Sequence, residues 1–318
     1  MKKIIVSAPG KIHLLGEHTV VYGKPALLAA IDKRCRVELI ARKDQKQEII
    51  ISESTDKKLI AYVFFAINTT VSYYHETVPS GFTLTISSEI PFGAGLGSSA
   101  ASAVAIAGAV TLFLGKPFDK KIINDIAFLI EKRQHGNPSG GDNSASCFGE
   151  FIWYRKETEE VKVIQSVSIS LSKKITGHFF LIDTGKPKES TKEMVGLVKQ
   201  FVETNQKKAQ IIFDEQEQLV RELVPALQRG DEQEIIRIIR SGERNLEKIG
   251  VVSESVKKLI RTIEQSGGVA KILGGGGKQS GVGMILVFMK KYDLQTILKK
   301  DTMTYELIGL GEEGVRRE

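Results

Sequence analysis

At 318 residues the chain exceeds the size that one apolar core usually serves, so two closely packed domains are expected, 1–176 and 177–318. Its apolar runs stop short of the roughly 18 to 20 residues a membrane helix needs, and Lys2-Lys3 ahead of a short strand-like run lacks the apolar stretch of a signal peptide; both argue against a membrane and for the cytoplasm. The formal charge of +7 is spread over amphipathic helices without aromatic interleaving, so nucleic acid is not an expected partner, while a modest positive field suits a small polyanionic substrate.

In chain order, Lys3 to Ser7 predicts a first strand, ended by Ala8-Pro9-Gly10 with Lys11 at its mouth. Glu17-His18-Thr19 follows between apolar pairs; an acid and an imidazole so placed either satisfy one another or face a ligand. Ala26 to Ala41 and Glu48 to Ser52 predict strands, Leu59 to Tyr74 a packing helix, and Phe82 to Ile90 another strand. Cys35 and Cys147 lie in different settings, too few for a metal cluster and poor candidates for a structural disulfide.

The stretch Pro91 to Leu114 organises the rest. Gly93, Gly95 and Gly97 leave backbone N–H groups uncovered, and Ser98 and Ser99 can cap the alanine-rich helix that follows, whose N-terminus favours an anion. A strand turning sharply into a buried helix asks for the same residues. No Gly-Lys-Ser/Thr closes the loop, so it is not a Walker site.

Gly115 and Pro117 stop that helix, and Asp119 can cap the next, with its stripe of Ile122, Ile123, Ile126, Ala127 and Ile130. Glu131 stands in the last turns, where the helix dipole disfavours an anion; it either pairs with Lys132, Arg133 or solvent, or helps hold a magnesium ion. Asp142, after His135-Gly136-Asn137-Pro138-Ser139-Gly140-Gly141, is either a plain N-cap or a functional carboxylate. A hairpin is expected from Glu150 to Tyr154 and Val161 to Ser170, and a buried strand from His178 to Thr184. Helices are expected from Thr191 to Gln228, Glu232 to Lys248 and Ser253 to Gln265, then a strand from Met284 to Met289. The run Gly274 to Gly277 is better explained by close approach of backbone to a ligand or another loop than by a turn.

Taken together, Ser7-Ala8-Pro9-Gly10-Lys11 with Gly16 to Gly23, the Pro91 to Ala101 stretch and the Gly274 cluster resemble the three motifs of the GHMP kinases. Glu17 to Gly23, His135 to Asn143, and Asp183-Thr184-Gly185 with Ser190 to Glu193 are most similar to the mevalonate kinase family within them. The resemblance implies an α+β fold in two lobes, with an N-terminal nucleotide-binding lobe and a C-terminal lobe of helices on an antiparallel sheet. It implies ATP and Mg2+, and transfer of the γ-phosphate to the 5-hydroxyl of mevalonate. A kinase of phosphomevalonate or of another small molecule within the GHMP group is the alternative, and a silent nucleotide-binding regulator is the rival of another class.

Carried over by position, the ATP phosphates meet Pro91, Gly93, Ala94, Gly95, Leu96, Gly97, Ser98, Ser99 and Ala100, and the metal meets Ser99 and Glu131. Asp142 and Lys11 match the catalytic pair, Asp142 as base or as the group that orients Lys11. The substrate side matches Lys11, Glu17, His18, Asp142, Ser190, Thr191, Gly275 and Gly276. A homodimer is compatible with the resemblance. The third motif departs from the pattern: Leu273 stands in place of a hydroxyl residue and Gly275 in place of an alanine, and Lys278 follows, placed to reach nucleotide or acceptor. Gly185 to Ser190 carries one extra residue.

Overall fold

The computed structural model describes residues 2–52, 55–135, 138–158, 161–298 and 303–318, without the side chains of Gln134, His135 and Tyr292. It opens with β1 (Lys3–Leu15), a single 3-10 turn (Thr19–Tyr22), β2 (Ala26–Ala41), β3 (Gln47–Ile51), α1 (Lys57–Tyr73) and β4 (Phe82–Ser88). Three helices follow, α2 (Ser98–Phe113), α3 (Lys120–His135) and α4 (Gly141–Phe148), then β5 (Phe151–Lys156) and β6 (Lys162–Val167). The second half holds α5 (Lys173–Thr176), β7 (Phe179–Asp183), α6 (Thr191–Thr204), α7 (Gln206–Arg229), α8 (Glu232–Lys248) and α9 (Glu254–Gln265). It ends with β8 (Val269–Ile272), β9 (Met284–Phe288), α10 (Lys291–Leu298), β10 (Tyr305–Leu307) and β11 (Arg316–Arg317).

Among the described residues two sheets carry the expected α+β architecture. The first runs β11-β1-β2-β4-β3, with β5 and β6 continuing from the other half of β2. β2 is long enough to pair twice: Ala26 to Ala29 with β5, and Cys35 to Ala41 with β4. The second sheet runs β10-β7-β9-β8, antiparallel throughout.

Two differences from expectation go beyond a shift of a few residues at an element's end. β1 does not stop at Ser7 but runs on through Pro9 and Gly10 to Leu15, because register shifts between Pro9 and Lys11 and between His13 and Leu15 absorb the irregular residues. The helical run from Thr191 is two helices meeting at Asn205, the first opened by a capping box between Ser190 and Glu193.

The small residues of α2 let it sit at the centre: every residue from Ala100 to Thr111 is buried. It packs against β1, β2, α1, α3 and α4, so its N-terminus is fixed relative to all of them. The apolar core is continuous from this helix to Phe179, Leu181, Leu223 and Leu286 of the second half. The chain end returns to the first sheet, where Val6 and Ser7 pair with Arg317 and Arg316 and the Arg34 guanidinium donates to the carbonyls of Glu313 and Gly314. Cys35 and Cys147 are buried and free. Among the described residues no helix is long and apolar enough to cross a membrane.

Candidate active site

Because β1 continues past Gly10, Lys11 lies in the sheet and not at its mouth. Its backbone N–H donates to the Leu96 carbonyl at 2.9 Å, which ties the strand to the glycine loop, and its Nζ donates to the Gly95 carbonyl at 3.2 Å. The aliphatic stem crosses Gly97 so closely that a Cβ there would stand 2.8 Å from Lys11 Cγ, and Gly97 has a φ of 74°. Gly97→Ala therefore combines left-handed strain of about 1 kcal/mol with a displaced lysine. We expect a folded protein with kcat lowered at least about tenfold; a variant at the parent rate would show that the stem does not fix the ammonium.

The loop ends in a way the serines did not announce. Gly97 occupies the cap position of α2 and no side chain caps the helix; Ser98 and Ser99 fall inside its first turn, a correction to the expected capping role. Among the described residues the first N–H groups are thus left without a capping side chain, facing a region where an anion is favoured. Leu96 and Ala100 pin the loop from below, both buried, while Pro91 is exposed at its start. Gly93 to Gly97 also stacks on the third glycine cluster: a Cβ on Gly95 would meet the Leu273 carbonyl at 3.0 Å, a Cβ on Gly274 would meet Gly95 Cα at 3.0 Å, and Met284 N–H donates to the Ala94 carbonyl at 3.3 Å. Loop-on-loop contact accounts for glycine at these positions.

Ser99 instead turns its hydroxyl to Glu131, donating to Oε1 at 2.5 Å. Glu131 is buried, while its neighbour Arg133 lies over the Phe65 ring. Burial pushes the Glu131 carboxyl up to about 7, with the Asp142 charge adding to the rise and the Ser99 hydrogen bond and Lys11 opposing it. The carboxylate thus sits in a place that favours a cation.

Asp142 is not an N-cap. Gly140 takes that position, with Ser144 Oγ donating to its carbonyl at 2.6 Å, and Asp142 falls in the first turn of α4. The preceding backbone is held by the Tyr154 hydroxyl on the Ser139 carbonyl, and Asn143 Nδ2 ties the helix to Asn124 Oδ1 at 2.8 Å. Gly136 and Asn137 of the same segment lie outside the described residues. So positioned, Asp142 places Oδ2 3.1 Å from Lys11 Nζ; the lysine side chain is 3% exposed and the aspartate 41%. The two residues assigned to one reaction are in direct contact.

The Glu17-His18 step resolves differently from either alternative, for the two side chains part. Glu17, expected at the substrate, is buried in an ion pair with Lys271 of β8. His18 turns to the third glycine cluster, its Nε2 3.1 Å from the Gly275 carbonyl, and burial holds its imidazole down to about 4. Thr191 packs against Gly275, whereas Ser190 spends its hydroxyl on the Glu193 carboxylate and Gly276 lies against the Val251 carbonyl. His18, Thr191 and Gly275 are thus brought together; Glu17, Ser190 and Gly276 serve the frame around them. Lys278 is exposed.

Sequence reading missed three groups here. His13 is buried beside Lys11 and Asp142, and its signal was parity: residues i and i+2 share a strand face once the strand is known to continue. Lys271 is fully buried, and Glu243 of α8 accepts from the Ile272 N–H at 3.0 Å; burial pushes the Glu243 carboxyl up to about 8. Nothing local marks either one.

Comparison with known proteins identifies the family and the fold. Residues 61–150 match the family model of the GHMP kinases N terminal domain, and residues 1–39 match the galactokinase galactose-binding signature. The chain is 31% identical to the mevalonate kinase of Pyrococcus horikoshii over 87% of each chain, and 34% identical to that of Archaeoglobus fulgidus over 86% of this chain and 89% of the relative. Its fold matches the crystal structure of the Methanococcus jannaschii mevalonate kinase with a TM-score of 0.82, covering 98% of this chain and 99% of that one at 21% identity. The chain belongs to the mevalonate kinase family of the GHMP kinases, which use ATP to phosphorylate an alcohol.

Proposed function

We propose that this chain transfers the γ-phosphate of ATP to the 5-hydroxyl of mevalonate in the cytoplasm, in a cleft between lobes 1–176 and 177–318. The observation that carries the reading is the Lys11–Asp142 contact at 3.1 Å beside an uncapped helix N-terminus. The names of the Pyrococcus and Archaeoglobus relatives support mevalonate as the acceptor. Phosphoryl transfer proceeds through a loose transition state, so alignment and charge neutralisation count for more than base strength. The loop Gly93 to Ser99 would hold the triphosphate. Lys11 would neutralise charge between the attacking oxygen and the phosphorus. As the new O–P bond forms and the bond to the leaving ADP breaks, the alcohol proton would pass to Asp142. His18, Thr191 and Gly275 would border the acceptor.

Ser99 and Glu131 fit a magnesium ion: both offer oxygen, the preferred donor of a hard cation, and the buried carboxylate lies in surroundings that a cation would relieve. Among the described residues no cluster of three His, Cys, Asp or Glu side chains could hold a metal, but magnesium held partly by phosphates needs none. When bound, the ion would neutralise the triphosphate. Glu131→Gln is expected to raise the magnesium concentration for half-maximal rate about tenfold, in line with the loss of one carboxylate ligand. A magnesium titration that superimposes on the parent's would assign Glu131 a structural role.

The acceptor is tested by following ADP release from magnesium ATP with mevalonate, phosphomevalonate, homoserine and galactose. Mevalonate should give the highest kcat/KM. A higher value with another alcohol, or no release with any, overturns the reading.

A further inference from the structure

Lys11 Nζ carries three N–H bonds, and three acceptors surround it: Asp142 Oδ2 at 3.1 Å, the Gly95 carbonyl at 3.2 Å and His13 Nδ1 at 3.4 Å. The last is supplied by a residue that the reaction as described does not use. We propose that His13 is a positioning residue for phosphoryl transfer, its imidazole spanning Lys11 and Asp142 so that the ammonium and the carboxylate keep one mutual orientation.

The chemistry of the contact dictates the tautomer. An ammonium only donates, so Nδ1 must accept and the ring proton belongs on Nε2. That nitrogen lies 3.9 Å from Asp142 Oδ1, the other oxygen of the carboxylate that pairs with Lys11 through Oδ2. The distance is too long for a hydrogen bond, but close enough for the N–H dipole to act on the carboxylate. Burial first, and then the charges of Lys11 and Lys271, keep the ring neutral, holding it down to about 3 against the pull of Asp142.

Neutrality decides what the residue can do. A second carboxylate at this place would cancel the charge of Lys11 that the transferring phosphoryl group needs. An apolar side chain would leave one donor of a buried ammonium without an acceptor, free to turn away. A neutral imidazole gives direction without removing charge. The backbone of His13 is held too, since its carbonyl accepts from Lys271 Nζ at 3.1 Å, so the ring projects from a fixed point.

The inference rests on the phosphotransfer reading, and its tests separate the two. In the parent enzyme, 15N spectra of the histidine rings at neutral pH, with the His13 signals assigned through their loss in His13→Leu, should show the Nε2–H tautomer. The Nδ1–H tautomer or a protonated ring overturns the inference whether or not the protein is a kinase. In kinetics, His13→Leu should lower kcat roughly 10- to 100-fold with the KM for ATP within about threefold. His13→Asn, which returns an acceptor near the Nδ1 position, should recover at least about half of the loss on a logarithmic scale. A parent rate in His13→Leu, or an Asn variant no faster than the Leu variant at matched thermal stability, overturns the inference. An inactive parent sinks the kinase reading instead, and leaves the tautomer to decide the role of His13.

Discussion

Asp142→Asn is expected to lower kcat by about 10² to 10⁴ while leaving the KM for ATP within about threefold, the range for removing a positioned proton acceptor. The substitution keeps the shape of the side chain, and the features that place it lie elsewhere: the Gly140 cap, the Ser144 hydrogen bond to it, and the Asn143–Asn124 tie. The Gly93 to Gly97 loop contacts Lys11 and the third glycine cluster, which the substitution leaves in place. Binding and chemistry should therefore come apart. The size of the loss also bears on mechanism. An asparagine carbonyl can still accept from Lys11 Nζ, so a carboxylate that merely orients the lysine should cost near the lower end of the range, and a proton acceptor near the upper. Steady-state kinetics with a thermal unfolding control decide it, and turnover at the parent rate removes Asp142 from the mechanism.

The parts of the site that were legible in sequence are those whose chemistry is local. Glycines alternating at Gly93, Gly95 and Gly97 before two serines announce exposed backbone whatever lies around them. Even there the local rule erred in detail, because Gly97 could take the left-handed cap position and so left the serines inside the helix. Lys11 and Asp142 came together only through family resemblance, for nothing near either residue points to the other. His13 was hidden by a single boundary. Proline and glycine after Ala8 read as a strand end, yet pairing with β2 carries the strand across them through register shifts, and only then do Lys11 and His13 share a face. Arg316 and Arg317 show the opposite limit. Two charged residues have no strand signature, but the free edge of β1 accepts their backbone.

Lys271→Met should destabilise the protein by about 3 to 5 kcal/mol, the usual cost of removing one partner from a buried ion pair. The Lys271 ammonium is fully buried and donates to the Glu17 carboxylate, to the His13 carbonyl at 3.1 Å and to the Ile272 carbonyl at 2.7 Å. Around it Glu17 Oε2 and Glu243 Oε1 are buried without a hydrogen-bond partner, so the ammonium pairs with the Glu17 carboxylate and opposes the rise of the Glu243 carboxyl. Methionine has similar length but no charge, which leaves both acids to ionise in an apolar setting or to take up protons. The sign of the pH dependence follows. In the parent, Glu243 is raised from 4.5 to about 8, so the stability tied to its protonated form is complete below about pH 4.5 and is lost as pH climbs through 8. Without the lysine the Glu243 carboxyl rises further, and the deficit of the variant should be larger at pH 8 than at pH 5 in denaturant unfolding. Adding Glu17→Gln should restore part of it. An equal deficit at both pH values, or no rescue, would mean that the pair is not what holds β8 against the end of β1. If it is, one buried charge fixes the register between the sheet that carries Lys11 and the sheet that carries the Gly275 loop.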